Sequence, residues 1–120
     1  MNNKQQLGAY GENLIAKKLV QEGYAIIARN YKKKAGEIDL IATQKNLLIF
    51  VEVKMRRTAF FDLAEVITRS KQQKILTVAK QFIAEHNHRD IMCRFDVALI
   101  ELHTNKPHIT YIEHAFGENG

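Results

Sequence analysis

The sequence predicts a mixed α/β fold in which helices cover a central sheet, with elements in the order α-β-β-β-α-β-β. Three observations carry this: two stretches with apolar residues at helical spacing, three β-rich runs between them, and two further strand-like runs near the C-terminus. A chain of 120 residues, 46% of them hydrophobic, can bury one core and is too short for two ordinary ones. Residues 1–120 are therefore expected to form a single domain, with loose ends at 1–3 and 115–120.

The first helix is expected from Lys4 to Glu22, where Leu7, Leu14, Ile15, Leu19 and Val20 recur at helical spacing and Gly23 supplies a stop. Tyr24 to Tyr31 contains the β-formers Ile26 and Ile27 and reads as the first strand. Gly36–Thr43 and Leu47–Met55 read as the second and third, and the short polar Gln44-Lys45-Asn46 between them suggests a hairpin. Arg56 to Thr68 is a connection. A second helix is expected from Ser70, as N-cap, to Asn87, on the apolar stripe Ile75, Val78, Ala79, Phe82 and Ile83. Ile91–Leu102 reads as a strand, and Ile109–Ile112 as a last, edge strand after the turn at Asn105-Lys106-Pro107.

Composition narrows the function classes. No apolar run is long enough for a membrane span, the N-terminus lacks the apolar core of a signal peptide, and a lone cysteine fits a reducing compartment. A cytoplasmic protein with no membrane partner is the expectation. The net charge of +5 and pI near 9.4 favour a polyanion such as nucleic acid. The basic clusters Lys32-Lys33-Lys34 and Arg56-Arg57 flank two acidic motifs, Gly36-Glu37-Ile38-Asp39-Leu40-Ile41-Ala42 and Val51-Glu52-Val53-Lys54. A further cluster joins Arg69, Lys71 and Lys74.

These two motifs put charges on strands that otherwise read as core, where a charge is costly unless paired, hydrogen-bonded or metal-bound. By strand alternation Glu37, Asp39 and Ile41 share a face, as do Leu48, Phe50, Glu52 and Lys54. If Lys45 and Asn46 are the central turn residues, Gln44 pairs with Leu47. Counting back then sets Asp39 opposite Glu52 and Glu37 opposite Lys54. Two carboxylates so close repel, and a divalent cation removes the conflict. Magnesium suits such an oxygen site, with manganese as a substitute, and a bound cation polarises a phosphoryl oxygen and acidifies water. Lys54 would orient the attacking water or stabilise developing negative charge. The competing reading is a cross-strand salt-bridge network with no ligand. Glu12 lies in line with Ile15, Ala16 and Leu19 on the first helix, so it is expected to face the sheet and need a partner there. Lys71 is either a surface lysine of the second helix's first turn or a phosphate contact.

The helix motif around Glu12, then Gly-Glu-Ile-Asp-Leu-Ile-Ala, then Phe-Val-Glu-Val-Lys-x-Arg, resembles the YraN-like bacterial family over about Gly8 to Asp96. Arg29-Asn30-Tyr31 and Arg94-Phe95-Asp96-Val97 belong to the same likeness. The Asp39…Glu52-x-Lys54 core is similar to the PD-(D/E)xK nuclease superfamily, archaeal Holliday-junction resolvases included. That resemblance implies a restriction-endonuclease-like fold and metal-dependent hydrolysis of phosphodiesters in DNA, branched or structured DNA among the substrates. By position it makes Asp39 and Glu52 metal ligands, Lys54 the catalytic lysine and Glu12 an aid to metal or water. Ile38 stands where the superfamily carries proline before its first aspartate. Lys32, Lys33, Lys34, Arg56, Arg57 and Lys71 are expected to hold the nucleic-acid backbone. A four-way junction is symmetric, so a homodimer would match that substrate. The alternatives are a nucleic-acid-binding module of the same fold without useful turnover, and an interaction protein of DNA processing whose charged cluster is structural.

Other polar residues read more plainly. His86-x-His88 near Cys93 lacks the ligand spacing of a zinc site, and Cys93 is expected in a strand's core. Asp96 is expected to pair with Arg94 or Lys71. Phe60 and Phe61 suit core or lid packing better than base stacking.

Overall fold

The computed structural model describes residues 4–57, 62–86, 90–102 and 106–117. Helix α1 (Lys4–Gln21) leads into strands β1 (Ala25–Lys33), β2 (Gly36–Gln44) and β3 (Leu47–Arg56). A short helix α2 (Leu63–Val66) and the longer α3 (Arg69–Glu85) follow, then β4 (Met92–Glu101) and β5 (His108–Phe116). The five strands make one sheet in chain order, antiparallel except for the β3–β4 pair. That parallel pair needs a crossover, which the α2–α3 segment supplies. The expected mixed sheet flanked by helices is what forms.

One face of the sheet carries α1, and the other carries α3 with the short α2. On one side Ile15, Ala16 and Leu19 of α1 pack with Leu40, Ala42, Ile49, Val51, Ala98 and Ile100. On the other, Ile75, Val78, Ala79 and Phe82 of α3 pack with Ile38, Ile41, Leu48, Phe50 and Val97. Strand β3 is thus covered on both faces, which is why Leu48-Ile49-Phe50-Val51 is an unbroken apolar run. Gly23, at φ +97, closes α1: its N–H bonds the Val20 carbonyl and the Tyr24 N–H bonds that of Leu19.

Several boundaries differ from the sequence reading. The N-cap of α3 is Thr68, not Ser70: the Thr68 hydroxyl accepts the Lys71 N–H at 3.2 Å, and Ser70 falls inside the first turn. The connection before it folds into α2, capped by Asp62 through the Ala64 N–H. Strand β1 continues through Lys33, and Ala115 and Phe116 belong to β5 rather than to a loose end. Phe116 is buried and stacks on Phe95. Cys93 is exposed rather than core: it lies at the beginning of β4, in an open cavity that it lines with Leu76, Ala79, Lys80 and Ile83 of α3. His88, Phe60 and Phe61 lie outside the described residues. Among the described residues no helix is long and apolar enough to cross a membrane.

Asp96 is fully buried and pairs with Arg94, not Lys71. Its two carboxylate oxygens each accept from the Arg94 guanidinium at 2.9 Å, and Oδ2 also accepts the Tyr111 hydroxyl at 2.6 Å. Oδ1 takes the main-chain N–H of His114 at 3.0 Å, in the bulge where β5 shifts register against β4 and His114 adopts φ +54. Burial and the bond to Asp96 push the Tyr111 phenol well above its ordinary pKa. This network pins an edge strand and lies apart from the cleft between α3 and the β2–β3 pair.

Candidate active site

The β2–β3 hairpin forms in the register that its turn length implies, from Gln44↔Leu47 back to Leu40↔Val51. There the main-chain ladder ends, one residue before Asp39 would meet Glu52. The two carboxyl groups nonetheless touch, within hydrogen-bond contact. Asp39 Oδ2 also accepts the Val53 N–H at 2.8 Å, taking the place of the missing β2 carbonyl. Past that point no main-chain pair sets Glu37 opposite Lys54; on its other side Glu37 pairs with Lys32 of β1. Nor do Glu37, Asp39 and Ile41 alternate regularly onto one face. Ile38 and Ile41 both enter the α3 core while Leu40 enters the α1 core, so β2 turns over near Asp39.

An open cleft of about 300 Å³ lies over this point, lined by Gly36, Glu37, Asp39, Glu52, Lys71, Lys74 and Ile75. Strands β2 and β3 supply its acidic wall and the first turns of α3 its basic wall. Lys71 Nζ stands 4.0 Å from Glu52 Oε2 and donates to the Val66 carbonyl at 3.3 Å, which holds it over the carboxylates. Gly36 lets α3 come close, since a Cβ there would stand 3.2 Å from that of Lys74.

The electrostatics follow from burial. Asp39 is pushed up to about 8, first by burial and then by the hydrogen bond and charge of Glu52; the Val53 N–H and Lys71 oppose this. One proton is therefore retained by the pair near neutral pH, on the more deeply set Asp39. Glu12 does face the sheet. Its carboxyl is raised by burial and then by the charge of Asp39, while a hydrogen bond from Asn30 lowers it; Glu37 raises and Arg29 lowers it further.

The remaining predicted residues distribute unevenly. Lys54 lies two residues beyond Glu52 on β3, opposite Leu99, and the unbroken β3–β4 register keeps it on the Glu52 face. It is half-buried and sits outside the cleft lining. Lys32 and Lys34 are exposed at the β1–β2 hairpin end. Lys33 already holds Glu85 of α3, at 2.6 Å, with the Tyr31 ring beneath its ammonium. Arg56 ends β3 and Arg57 follows it, roughly 13 Å and more past Glu52 at strand rise. Arg56 pairs opposite Glu101, and neither arginine is free of partners.

Sequence reasoning missed the roles of Asn30, Arg29 and Lys74. Asn30 lies beside Glu12 and lowers its carboxyl, Arg29 bonds Asn13 of α1 at 2.6 Å, and Lys74 lines the cleft. The signal available for Lys74 was its place one turn after Lys71 on the same helix. His86 stacks on Phe82 and contacts that residue's carbonyl, the work of a helix end.

The donor set suits a hard cation: carboxylate oxygens meet at the cleft floor, and without a cation their repulsion is relieved by holding a proton. Among the described residues no three acidic, histidine or cysteine side chains make a ready cage. A cation held by Asp39 and Glu52 would therefore draw its other ligands from water and substrate, the habit of magnesium.

The chain matches the model of a family described as "Uncharacterised protein family UPF0102" over residues 11–100, a span that includes Glu12, Asp39, Glu52, Lys54 and Lys71. It is similar to a UPF0102 protein of Saccharophagus degradans, 42% identical over 121 residues and covering 99% of each chain. A UPF0102 protein of Caldanaerobacter subterraneus is 41% identical over 113 residues, 93% of each chain. One of Treponema pallidum is 41% identical over 115 residues, 92% of this chain and 91% of its own. The chain, its α1–β4 body included, belongs to the UPF0102 family.

Proposed function

We propose that this protein is a magnesium-dependent nuclease acting on DNA, with manganese able to substitute. The observation that carries the reading is the contact of Asp39 and Glu52 under a cation, Lys71, in an open cleft. Two acids forced together at a cost, in a place where phosphate can reach them, are more readily understood as a binding device than as a stabilising one.

Asp39 and Glu52 would hold the cation, which when bound neutralises charge on the scissile phosphate and acidifies a water. Lys71 and Lys74 face the carboxylates across the cleft and bind the non-bridging phosphate oxygens there. Lys54, on the Glu52 face of β3, orients the attacking water or offsets negative charge building on phosphorus. Glu12, behind Asp39, accepts a proton or steadies the water. Lys32 and Lys34 extend the basic surface along the hairpin and guide the backbone of the nucleic acid. Branched DNA is the substrate favoured by the likeness to junction resolvases, and a dimer would deliver two symmetric cuts.

The test is incubation with linear, flapped and four-way DNA in Mg²⁺ or Mn²⁺, alongside Asp39→Ala and Lys54→Ala. Cleavage that both substitutions abolish supports the enzyme. Salt-sensitive binding without cleavage, indifferent to Asp39→Ala, points to a binding module of the same fold. Absence of both binding and cleavage overturns the proposal.

A further inference from the structure

We infer that Asn30 is a positioning residue that sets both Asp39 and Glu12 for the reaction at the cleft, an inference that rests on the nuclease reading above. Three described non-glycine residues adopt positive φ: Asn30 at 48°, Lys45 at 54° and His114 at 54°. Lys45 is in the β2–β3 turn, and His114 is in the β5 bulge held by Asp96. Asn30 is within β1, where nothing about a turn requires it.

Its backbone has a visible consequence. Arg29 pairs with Leu40 and Tyr31 with Ile38, but the step between, Asn30 facing Asp39, drops out of the ladder. Arg29 reaches α1, where its guanidinium bonds Asn13. Tyr31 reaches α3, its ring edge-on to Phe82 at 5.1 Å and its hydroxyl on Glu85. Residues two apart in a regular strand share a face, so β1 turns over at Asn30. Strand β2 turns over with it, Ile38 packing under α3 and Leu40 under α1. Asp39 sits at this paired reversal, released from the main-chain ladder, with its carboxyl free to meet Glu52 and the Val53 N–H.

The Asn30 side chain also lies beside Glu12 and lowers its carboxyl against the burial that raises it. One residue thereby fixes the strand reversal under Asp39 and the carboxyl of Glu12. Asparagine suits both tasks: it tolerates the left-handed region better than other residues with a side chain, and its short amide reaches a neighbouring carboxylate.

Two substitutions separate the two links. Asn30→Gly keeps the left-handed backbone and loses the amide beside Glu12; Asn30→Ala loses both. Amide hydrogen exchange at Val53, without metal, reads the position of Asp39, and kcat and KM on DNA in Mg²⁺ read Glu12. Asn30→Ala is expected to speed Val53 exchange about tenfold relative to the Val51 amide in the intact ladder. Asn30→Gly should leave Val53 protected while lowering kcat about tenfold at unchanged KM. Unchanged Val53 exchange in Asn30→Ala, or wild-type kcat in Asn30→Gly, overturns the inference. Should the wild-type protein fail to cleave, the nuclease reading falls, while Val53 exchange still decides whether Asn30 places Asp39.

Discussion

The Val53 N–H donates to the Asp39 carboxylate at 2.8 Å, just past the last main-chain pair between β2 and β3. A side chain thus continues the ladder where the backbones part, and in doing so presents its second oxygen to Glu52 and the cleft. At pH 5, where Asp39 keeps its proton, Asp39→Ala leaves the Val53 N–H without a partner. It should cost about 1–3 kcal/mol, the usual penalty for an orphaned buried donor. Asp39→Asn retains an acceptor and should cost less. Urea unfolding of the two variants gives the comparison, and equal losses would remove the structural role of this bond.

The raised ionisation of Asp39 makes metal-free stability depend on pH. In the unfolded chain the group ionises near 3.8, and in the fold at about 8. Between these values the folded protein holds a proton that the unfolded chain has released. The contribution of Asp39 is therefore fully present below about pH 4 and is lost as pH rises through 8. Thermal melts in chelator should show Tm of the wild type falling relative to Asp39→Asn over this window. Mg²⁺ should raise the wild-type Tm more at pH 8 than at pH 5, since a cation competes with the proton. Parallel pH curves for wild type and Asp39→Asn would count against the assignment.

Lys71 and Lys33 should behave differently toward DNA although both are basic. Lys71 lines the cleft, whereas Lys33 is committed to Glu85. Lys71→Ala should weaken binding across sequences and reduce the slope of log affinity against log salt by about 1. Lys33→Ala should leave that slope unchanged and loosen the junction of β1 with α3. Fluorescence anisotropy across a salt series measures both, and equal slopes in the two variants would contradict the placement of phosphate at the α3 wall.

Asp96 should matter for folding more than for chemistry. Removing its carboxylate leaves the largely buried Arg94 guanidinium with only Tyr24 and the exposed Glu113, and strands the Tyr111 hydroxyl and the His114 N–H. Asp96→Ala should cost about 3–5 kcal/mol, as breaking one side of a buried ion pair does. Chemical denaturation gives the value. A loss below about 1 kcal/mol, no more than a surface pair gives, would show that β5 is held by its ladder alone.

Much of the site was readable from local rules. The short link at Lys45-Asn46 fixed the hairpin register, and the register brought Asp39 toward Glu52, because side-chain alternation and turn length are properties of a few neighbouring residues. The stripe on α1 likewise put Glu12 against the sheet. Extrapolating that regularity failed one step later. No main-chain pair joins Glu37 to Lys54, because the β2–β3 ladder ends at Leu40 and the alternation of β2 reverses between Ile38 and Leu40, beside the left-handed Asn30 of β1.

By itself the sequence determined the element types, the helix-covered sheet, the hairpin register and the acidic pair, all of which follow from apolar periodicity and turn chemistry. Only the tertiary structure decided what surrounds that pair. Lys71 and Lys74 form the opposite wall because the crossover lays α3 across β2. Lys33 is tied to Glu85 because the same packing joins residues far apart in the chain. Asp39 holds its proton because the fold sets it deep in the cleft floor and brings Glu52 against it. Burial and long-range proximity are properties of the packed assembly, and no window of neighbouring residues contains them.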